Sequence, residues 1–311
     1  MLSVNAAEVA ARLGQACRSG SWWRCRCPVH GSVGATLALR DGDWGLIAHC
    51  HAGCRRADVL AELQRPGLLD DVRIWDWQPD PGEARERHER EVADRRRRIA
   101  AAMDIWAQSY SADDETTLPR RYLRSRLITM PIPNTIHAHG MMRHKESREQ
   151  RPAMIGLVEH VEHGAVGIHI TFLAIDGSQK ATVVPVRKTF GPIKGGAVRL
   201  GPIRPDDWLI VGEGIETVMS VMQAMNLPGW AALSAPGIVN LILPSDVTMV
   251  LIAADNDKNG VGWEAALRAR HRWLAEGRLV KIRMPPIPGT DWNDVLTGAA
   301  PARIGGCCNV A

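Results

Sequence analysis

The chain has 311 residues, 45% hydrophobic and 23% charged, the composition of an ordinary globular protein with room for two or three modest domains. No apolar run approaches the length that crosses a bilayer, and Met1–Asn5 lacks the basic and apolar regions of a signal peptide, so no membrane partner is expected and the default compartment is the cytoplasm. A formal net charge of +4 is compatible with a polyanionic partner, and seven cysteines in such a chain read as metal ligands or free thiols rather than disulfides.

In chain order, residues 5–18 read as a short amphipathic helix with Val9 and Leu13 on one face. Residues 21–54 are rich in Cys, His, Trp and Gly. Within them, 36–40 and 44–49 flank Asp41-Gly42-Asp43, a hairpin signal. Residues 55–64 read as a helix ended by Pro66-Gly67, and 70–82 as a linker. Residues 83–98 hold seven Arg and five acids, with Glu83/Arg87, Glu86/Arg90 and Glu91/Arg95 at i,i+4, which supports a solvated connecting helix that can run on through 100–109. Residues 118–127 form another basic helix. Residues 153–161, 166–173 and 181–186 are β-like, with Asp176-Gly177 as a turn, and 191–201 are rich in Gly and basic residues.

From Asp207 onward apolar strands alternate with helices. Strands are expected at 208–212, 229–233, 247–254 and 279–284, and helices at 215–225 and 262–275. That rhythm predicts an α/β fold, a small parallel sheet covered by helices. In such sheets ligands bind beyond the carboxyl ends of the strands. The acids fall there: Glu213 after the first strand, Asp255 and Asp257 after the third, Asp291 and Asp294 after the fourth. Hard divalent cations, chiefly Mg²⁺, need such oxygen ligands and stabilise attacking and leaving oxygens in phosphoryl transfer. Loop acids also serve as helix N-caps, and Asp294 or Asp255 could be no more than that. The start Asp255-Asn256-Asp257-Lys258-Asn259-Gly260 imitates an EF-hand loop, but its twelfth position is Ala266 rather than Glu.

Glu213-Gly214, then Asp255-x-Asp257 with Gly260 and Gly262, then Asp291-x-x-Asp294, resemble the Toprim domain over about residues 206–297. That domain is shared by bacterial-type primases, topoisomerases of types IA and II, and some nucleases and recombination proteins; the Glu-Gly-Ile-Glu-Thr wording is closest to phage and plasmid primases. The resemblance implies a general acid or base, or a metal ligand, at Glu213. It implies Mg²⁺ or Mn²⁺ at Asp255 and Asp257, and a further acid at Asp291. Glu216 stands one residue before the place where many relatives carry their second acid.

Cys27-Pro28-Val29-His30 and Cys50-His51-Ala52-Gly53-Cys54 are two ligand pairs at the ends of the expected hairpin. Folded together they make a closed Cys₃His tetrahedral zinc site, structural rather than catalytic. Cys25, His49 and His51 are alternative ligands; strand alternation puts His49 opposite Cys50, which favours Cys50. The Cys-Pro-x-His start resembles the N-terminal zinc-binding domain of bacterial and phage primases, which helps recognise single-stranded template; Cys-x₃-Cys departs slightly from the commoner closing pair. Trp22, Trp23 and Trp44 could stack bases, with Arg24, Arg26 and Arg40 on phosphates, although at least one Trp is expected in the small module's core.

Between these ends, Arg120, Arg121, Arg124, Arg126, Lys180, Arg187, Lys188, Lys194 and Arg199 give residues 118–200 a basic cast. Glycines around Arg187–Gly196 would let backbone approach a phosphate chain. The segment resembles the basic subdomain that precedes Toprim in primases. That likeness makes Lys188 and Lys194 candidates for nucleotide phosphate, beside Arg187, Arg121 and Arg124 for nucleic acid. The expected organisation is a zinc-binding module at 1–67, a helical connector at 68–117, a mixed α+β basic subdomain at 118–205, Toprim at 206–297 and a tail at 298–311. The implied activity is a DNA primase, a nucleotidyltransferase that makes short primers from nucleoside triphosphates on single-stranded DNA in phage or plasmid replication. No Walker-type loop is present, so a replicative helicase would be a separate partner. The competing readings are a Toprim nuclease and a non-catalytic zinc-dependent DNA-binding accessory protein. A topoisomerase would need its nucleophile from Tyr110 or Tyr122, the two tyrosines in the chain.

Overall fold

Asn5 opens the first helix by a reciprocal cap: its side chain accepts the Glu8 N–H at 3.0 Å, and the Glu8 carboxylate accepts the Asn5 N–H at 3.3 Å. This helix, α1 (Ala6–Leu13), ends earlier than expected because Gly14 leaves the helical region with φ 81°. The computed structural model describes residues 5–31, 34–42, 45–65 and 81–299, with the side chains of 45, 81–84 and 87 outside the description. Trp44, Pro66-Gly67, most of the linker and tail, Cys307 and Cys308 therefore lie outside the described residues.

After α1 come β1 (Cys17–Ser19), β2 (Trp22–Cys25), β3 (Leu37–Gly42), β4 (Gly45–Cys50) and α2 (Arg56–Leu63). The four strands form one antiparallel sheet in sequence order, with Leu37 opposite Cys50 and Ala38 opposite His49. Ala6 and Val9 from α1, Leu37 and Leu39 from β3, and Val59 and Leu63 from α2 close a small core. This unit spans Met1–Arg90 and the second spans Glu91–Ala311.

The charged connector is a single helix, α3 (Pro81–Ala107). Arg90–Glu86 at 2.8 Å and Arg85–Glu89 at 2.9 Å line it with i,i+4 pairs, while the Glu83–Arg87 pair lies outside the described side chains. Then follow β5 (Tyr110–Ser111), α4 (Leu118–Ser125), β6 (Ile136–Arg143), β7 (Gln150–His160), β8 (Gly164–Phe172), β9 (Arg187–Phe190) and β10 (Ala197–Arg199). The strand expected at 181–186 is irregular and strand structure begins only at Arg187, because Pro185 has no N–H to give a ladder. β5, β6 and β10 are strands that the sequence pattern did not announce.

The last third holds the four expected strands and two expected helices, with two short helices, α6 and α8, that were not expected: β11 (Trp208–Gly212), α5 (Ile215–Met225), β12 (Gly229–Ala231), α6 (Ala235–Asn240), β13 (Met249–Ala253), α7 (Val261–Ala275), β14 (Leu279–Arg283) and α8 (Trp292–Leu296). β14, β13, β11 and β12 run parallel, and β10 joins β12 antiparallel. The sheet continues through β10 into β7, β6 and β5, with β8 and β9 on the other edge of β7. The parts expected as 118–205 and 206–297 thus share one ten-stranded sheet.

α3 covers one face of the antiparallel half, where Ala102 packs with Ile155, Ile168 and Ile170. On the other face α4 and α5 bring Tyr122, Leu123, Val218 and Met219 against Met154 and Val158. Close seating of α5 depends on Gly212, where a Cβ would lie 2.8 Å from the Val218 methyl. Beyond β13, Trp273 of α7 and Ile238 of α6 pack on Val250 and Ile252. Among the described residues no helix is long and apolar enough to cross a membrane.

Candidate functional site

The carboxyl ends of β11 and β13 hold the acids. Glu213 sits between β11 and α5; Asp255 and Asp257 sit between β13 and α7. The Thr217 hydroxyl donates to Asp255 Oδ1 at 3.3 Å, and the Gly262 N–H donates to Asp257 Oδ2 at 3.3 Å. Asp291 caps α8, accepting the N–H groups of Asn293 and Asp294 at 2.8 and 2.9 Å, while Asp294 returns the bond to Asp291 N–H at 2.9 Å. The capping role considered for Asp294 or Asp255 therefore falls to Asp291 with Asp294, not to Asp255. Arg126 lies 3.7 Å from the second Asp291 oxygen.

The acids form one electrostatic group. Burial pushes the Asp255 carboxyl up to about 7, and the charges of Asp291, Glu213 and Asp257 add to that rise. Glu213 is also raised, by burial first and then by Asp257, against the pull of Arg187. Crowded carboxylates with raised proton affinity are a donor set that a hard divalent cation satisfies.

Behind the rim lies a polar cluster that sequence reasoning did not assemble. Glu216, fully buried on the first turn of α5, accepts from the Tyr122 hydroxyl at 2.6 Å and pairs with Lys180 at 2.9 Å. Burial pushes its carboxyl up, but Lys180, Arg187 and the hydrogen bonds from Tyr122 and Lys180 outweigh it and hold the group at about 2. Glu216 is thus a structural counter-ion. His169 beside it is held neutral, lowered to about 4 chiefly by burial, and its Nδ1 has no partner. Lys180 reaches the cluster because the Asp176-Gly177 turn doubles the chain back and sets Lys180 opposite Leu173. That turn was the available signal.

Strand alternation divides the basic residues. Arg187 is opposite Thr171 and acts on Glu213 and Glu216, whereas Lys188 is opposite Ile170, on the face covered by α3, and pairs with Glu146. Lys194 is exposed in the β9–β10 connection. Arg121 donates to the Asp176 carbonyl at 2.9 Å, and Arg124 pairs with Glu115.

In the N-terminal unit the donor atoms of Cys27, His30, Cys50 and Cys54 all lie within 4.8 Å of one another. His30 Nδ1 is 3.0 Å from Cys54 Sγ and 3.9 Å from Cys50 Sγ. A tetrahedral zinc site has edges of about 3.5–3.8 Å from its bond lengths, so the set fits. His30 Nε2 meets the Thr36 hydroxyl at 3.2 Å, which leaves Nδ1 as the ligand nitrogen. Cys25 is outside the cluster, its thiol pushed up to about 12 chiefly by burial, and His49 and His51 stack edge to face with each other. A second group, His160, Glu162 and His163, also gathers its donors within 4.8 Å, but the Glu162 N–H donates to His160 Nδ1 at 3.1 Å.

Residues 208–302 match the family described as "Toprim domain", and residues 96–200 match one described as "Domain of unknown function (DUF7146)". No curated protein matches the chain. Among solved structures it is similar to a DNA primase domain from Pseudomonas aeruginosa, at 18% identity and TM-score 0.34, over 51% of this chain and 52% of that one. This chain thus spans about half the length of that one. It is also similar to the zinc-binding and RNA polymerase domains of the Aquifex aeolicus primase, at 13% identity and TM-score 0.40, over 95% of this chain and 80% of that one. A third likeness is to a DnaG primase catalytic domain bound to single-stranded DNA, at 15% identity and TM-score 0.41, over 67% and 79%. Over residues 208–302, then, the chain is similar to the Toprim domain family, and its acids Glu213, Asp255, Asp257 and Asp291 all lie within that stretch.

Proposed function

We propose that the protein is a DNA primase: a nucleotidyltransferase that joins nucleoside triphosphates into short primers on single-stranded DNA, in replication of the phage or plasmid kind. The observation that carries this reading is the acid group Glu213, Asp255, Asp257 and Asp291 gathered within the Toprim match, with the charge of Arg187 acting on Glu213. The Cys₃His cluster supports it, since a structural zinc module is what the Cys-Pro-x-His start implies.

In primer synthesis a hydroxyl attacks the α-phosphorus of a triphosphate and pyrophosphate leaves. Glu213, Asp255 and Asp257 would hold Mg²⁺ or Mn²⁺, which when bound supplies positive charge to the phosphate oxygens. Glu213 serves either as one of these ligands or, with the ion on the two aspartates, as the group that takes up or returns a proton at the attacking hydroxyl or leaving oxygen. Arg187 supplies a fixed positive charge toward the departing pyrophosphate, and Glu216 with Tyr122 holds Lys180 in the same quarter. Lys188 is poorly placed for the triphosphate, because alternation turns it away from Glu216 and it pairs with Glu146, while Lys194, exposed in the β9–β10 connection, stays a candidate for nucleotide phosphate.

The test is incorporation of labelled nucleotides on single-stranded templates without added primer, wild type against Asp255→Ala. Oligomers from wild type and at least a thousandfold loss in the variant support the reading. If wild type makes no oligomer but cuts DNA with Mg²⁺ or Mn²⁺, the protein is a Toprim nuclease instead.

A further inference from the structure

The arginine run Arg95-Arg96-Arg97-Arg98 on α3 takes no part in the site above. Its surroundings are specific. Ile168 and Ile170 of β8 face α3, and directly paired residues on neighbouring strands share a face. Phe190, opposite Ile168, therefore points to the α3 side, as Lys188 does. Arg187 and Thr189 point to the other side, toward Glu216. Among the described residues β9 pairs only with β8, so it is an edge strand. Phe190 is left 43% exposed there.

Arg98 is tied to this edge. Its Nη2 donates to the Gly191 carbonyl at 3.4 Å. Gly191 has φ 98° and passes so close to β8 that a Cβ would lie 2.3 Å from the Val166 carbonyl oxygen. The carbonyl, and with it Arg98, is held in place beside Phe190. Lys194 is exposed three residues on, and Arg95, one helical turn before Arg98, acts electrostatically on the His160 ring at the β7–β8 turn. The nearby acids are partly spoken for: Asp94 pairs with Arg97 at 2.5 Å and Glu146 pairs with Lys188, while Glu162 is exposed at the turn.

An exposed aromatic face beside exposed cations is the chemistry that binds a single polynucleotide strand: an unpaired base stacks and the phosphates are neutralised. We propose that the α3–β9 face is a second strand-binding surface, on the reverse side of the sheet from Glu216. Phe190 stacks a base, and Arg98 and Arg95 contact phosphates. The choice of a nucleic acid as partner rests on the primase reading. The surface binds strand without magnesium or nucleotide, so it is measurable apart from synthesis.

The experiment is fluorescence anisotropy of a labelled thymidine 20-mer with the full chain, without magnesium or nucleotide, across a salt series. Removing a stacked base contact costs about tenfold in affinity, so Phe190→Ala weakens binding by about that factor and leaves the salt slope unchanged. Arg95→Ala with Arg98→Ala lowers the salt slope by about 1.4, since each single-strand phosphate contact contributes about 0.7. Arg98→Lys keeps most of the affinity, and Arg90→Ala, whose guanidinium pairs with Glu86, changes it less than twofold. Thermal midpoints of all variants check folding. Wild-type affinity and slope in the folded Phe190 and double-arginine variants would overturn the proposal, as would no binding by wild type. Loss of binding in these variants from a wild type that makes no primer would keep the surface and discard the primase reading.

Discussion

Two carboxylates three residues apart, Glu213 and Glu216, have opposite electrostatics, and neighbours decide the difference. Glu216 is buried beside Tyr122 and Lys180, within the pull of Arg187, and stays ionised; Glu213 has its proton affinity raised, by burial first and then by the charge of Asp257. For Glu216 the folded value, about 2, lies below the unfolded value of about 4.3. Its stabilisation is therefore complete above about pH 4.3 and is lost as pH falls through about 2. Glu216→Gln should cost about 3 kcal/mol at pH 7, because the half-buried Lys180 charge is left without its counter-ion. Urea unfolding at pH 7 and at pH 2.5 should show that difference shrinking at the lower pH. Asp255 has the reverse sign. Its folded value, about 7, lies above the unfolded value of about 3.9, so without metal its contribution to stability falls as pH rises from about 4 to 7. Magnesium competes with that proton, so its affinity should rise with pH and level off above about 7. Isothermal titration at pH 6, 7 and 8 would show it; a flat profile would remove Asp255 from the ligand set.

Helix α8 joins the rim to the fold by one residue with two duties. Asp291 caps the helix and charges the rim, and the duties separate by substitution. Asn caps as well as Asp, whereas Ala loses about 1 kcal/mol. Asp291→Asn should therefore keep the thermal midpoint and weaken magnesium binding, while Asp291→Ala should lower both. Element by element, the four strands after Asp207 and the helices α5 and α7 were legible because their apolar runs are short, β-branched or 3.6-periodic, as in Leu209-Ile210-Val211 and Val218-Met219-Val221-Met222, whereas α6 and α8, six and five residues long, are too short to show a period. β6 was hidden because Ile136 and Ala138 alternate with His137 and His139, residues with no strong strand preference. β10 is three residues long and sits in a glycine-rich stretch. The acids were legible because strand ends are where ligands bind. Lys180, Tyr122 and Thr217 were not, because their approach to the acids depends on which strands neighbour one another.

At the scale of the whole chain, metal and fold are coupled differently in the two units. The N-terminal unit rests on a small core and on Cys27, His30, Cys50 and Cys54. Small metal-held modules draw most of their folding free energy from the ion, about 10–16 kcal/mol for structural zinc. The second unit has its own ten-stranded sheet, so its folding is expected not to depend on zinc. Calorimetry should show two transitions, and a zinc chelator or Cys54→Ser should abolish one and leave the other within about 2 °C. A single transition that responds to chelator as a whole would contradict this.

β10 joins the two halves of the second unit by two residue pairs to β7 and two to β12. In mechanical terms it does not act alone: Tyr122 and Lys180 of the antiparallel half hold Glu216 of α5, and Asn293 of α8 donates to the Arg126 carbonyl, in parallel with those few pairs. Ties in parallel share a load, so a displacement of the antiparallel half reaches the acid loops through the helices as well as through the strand.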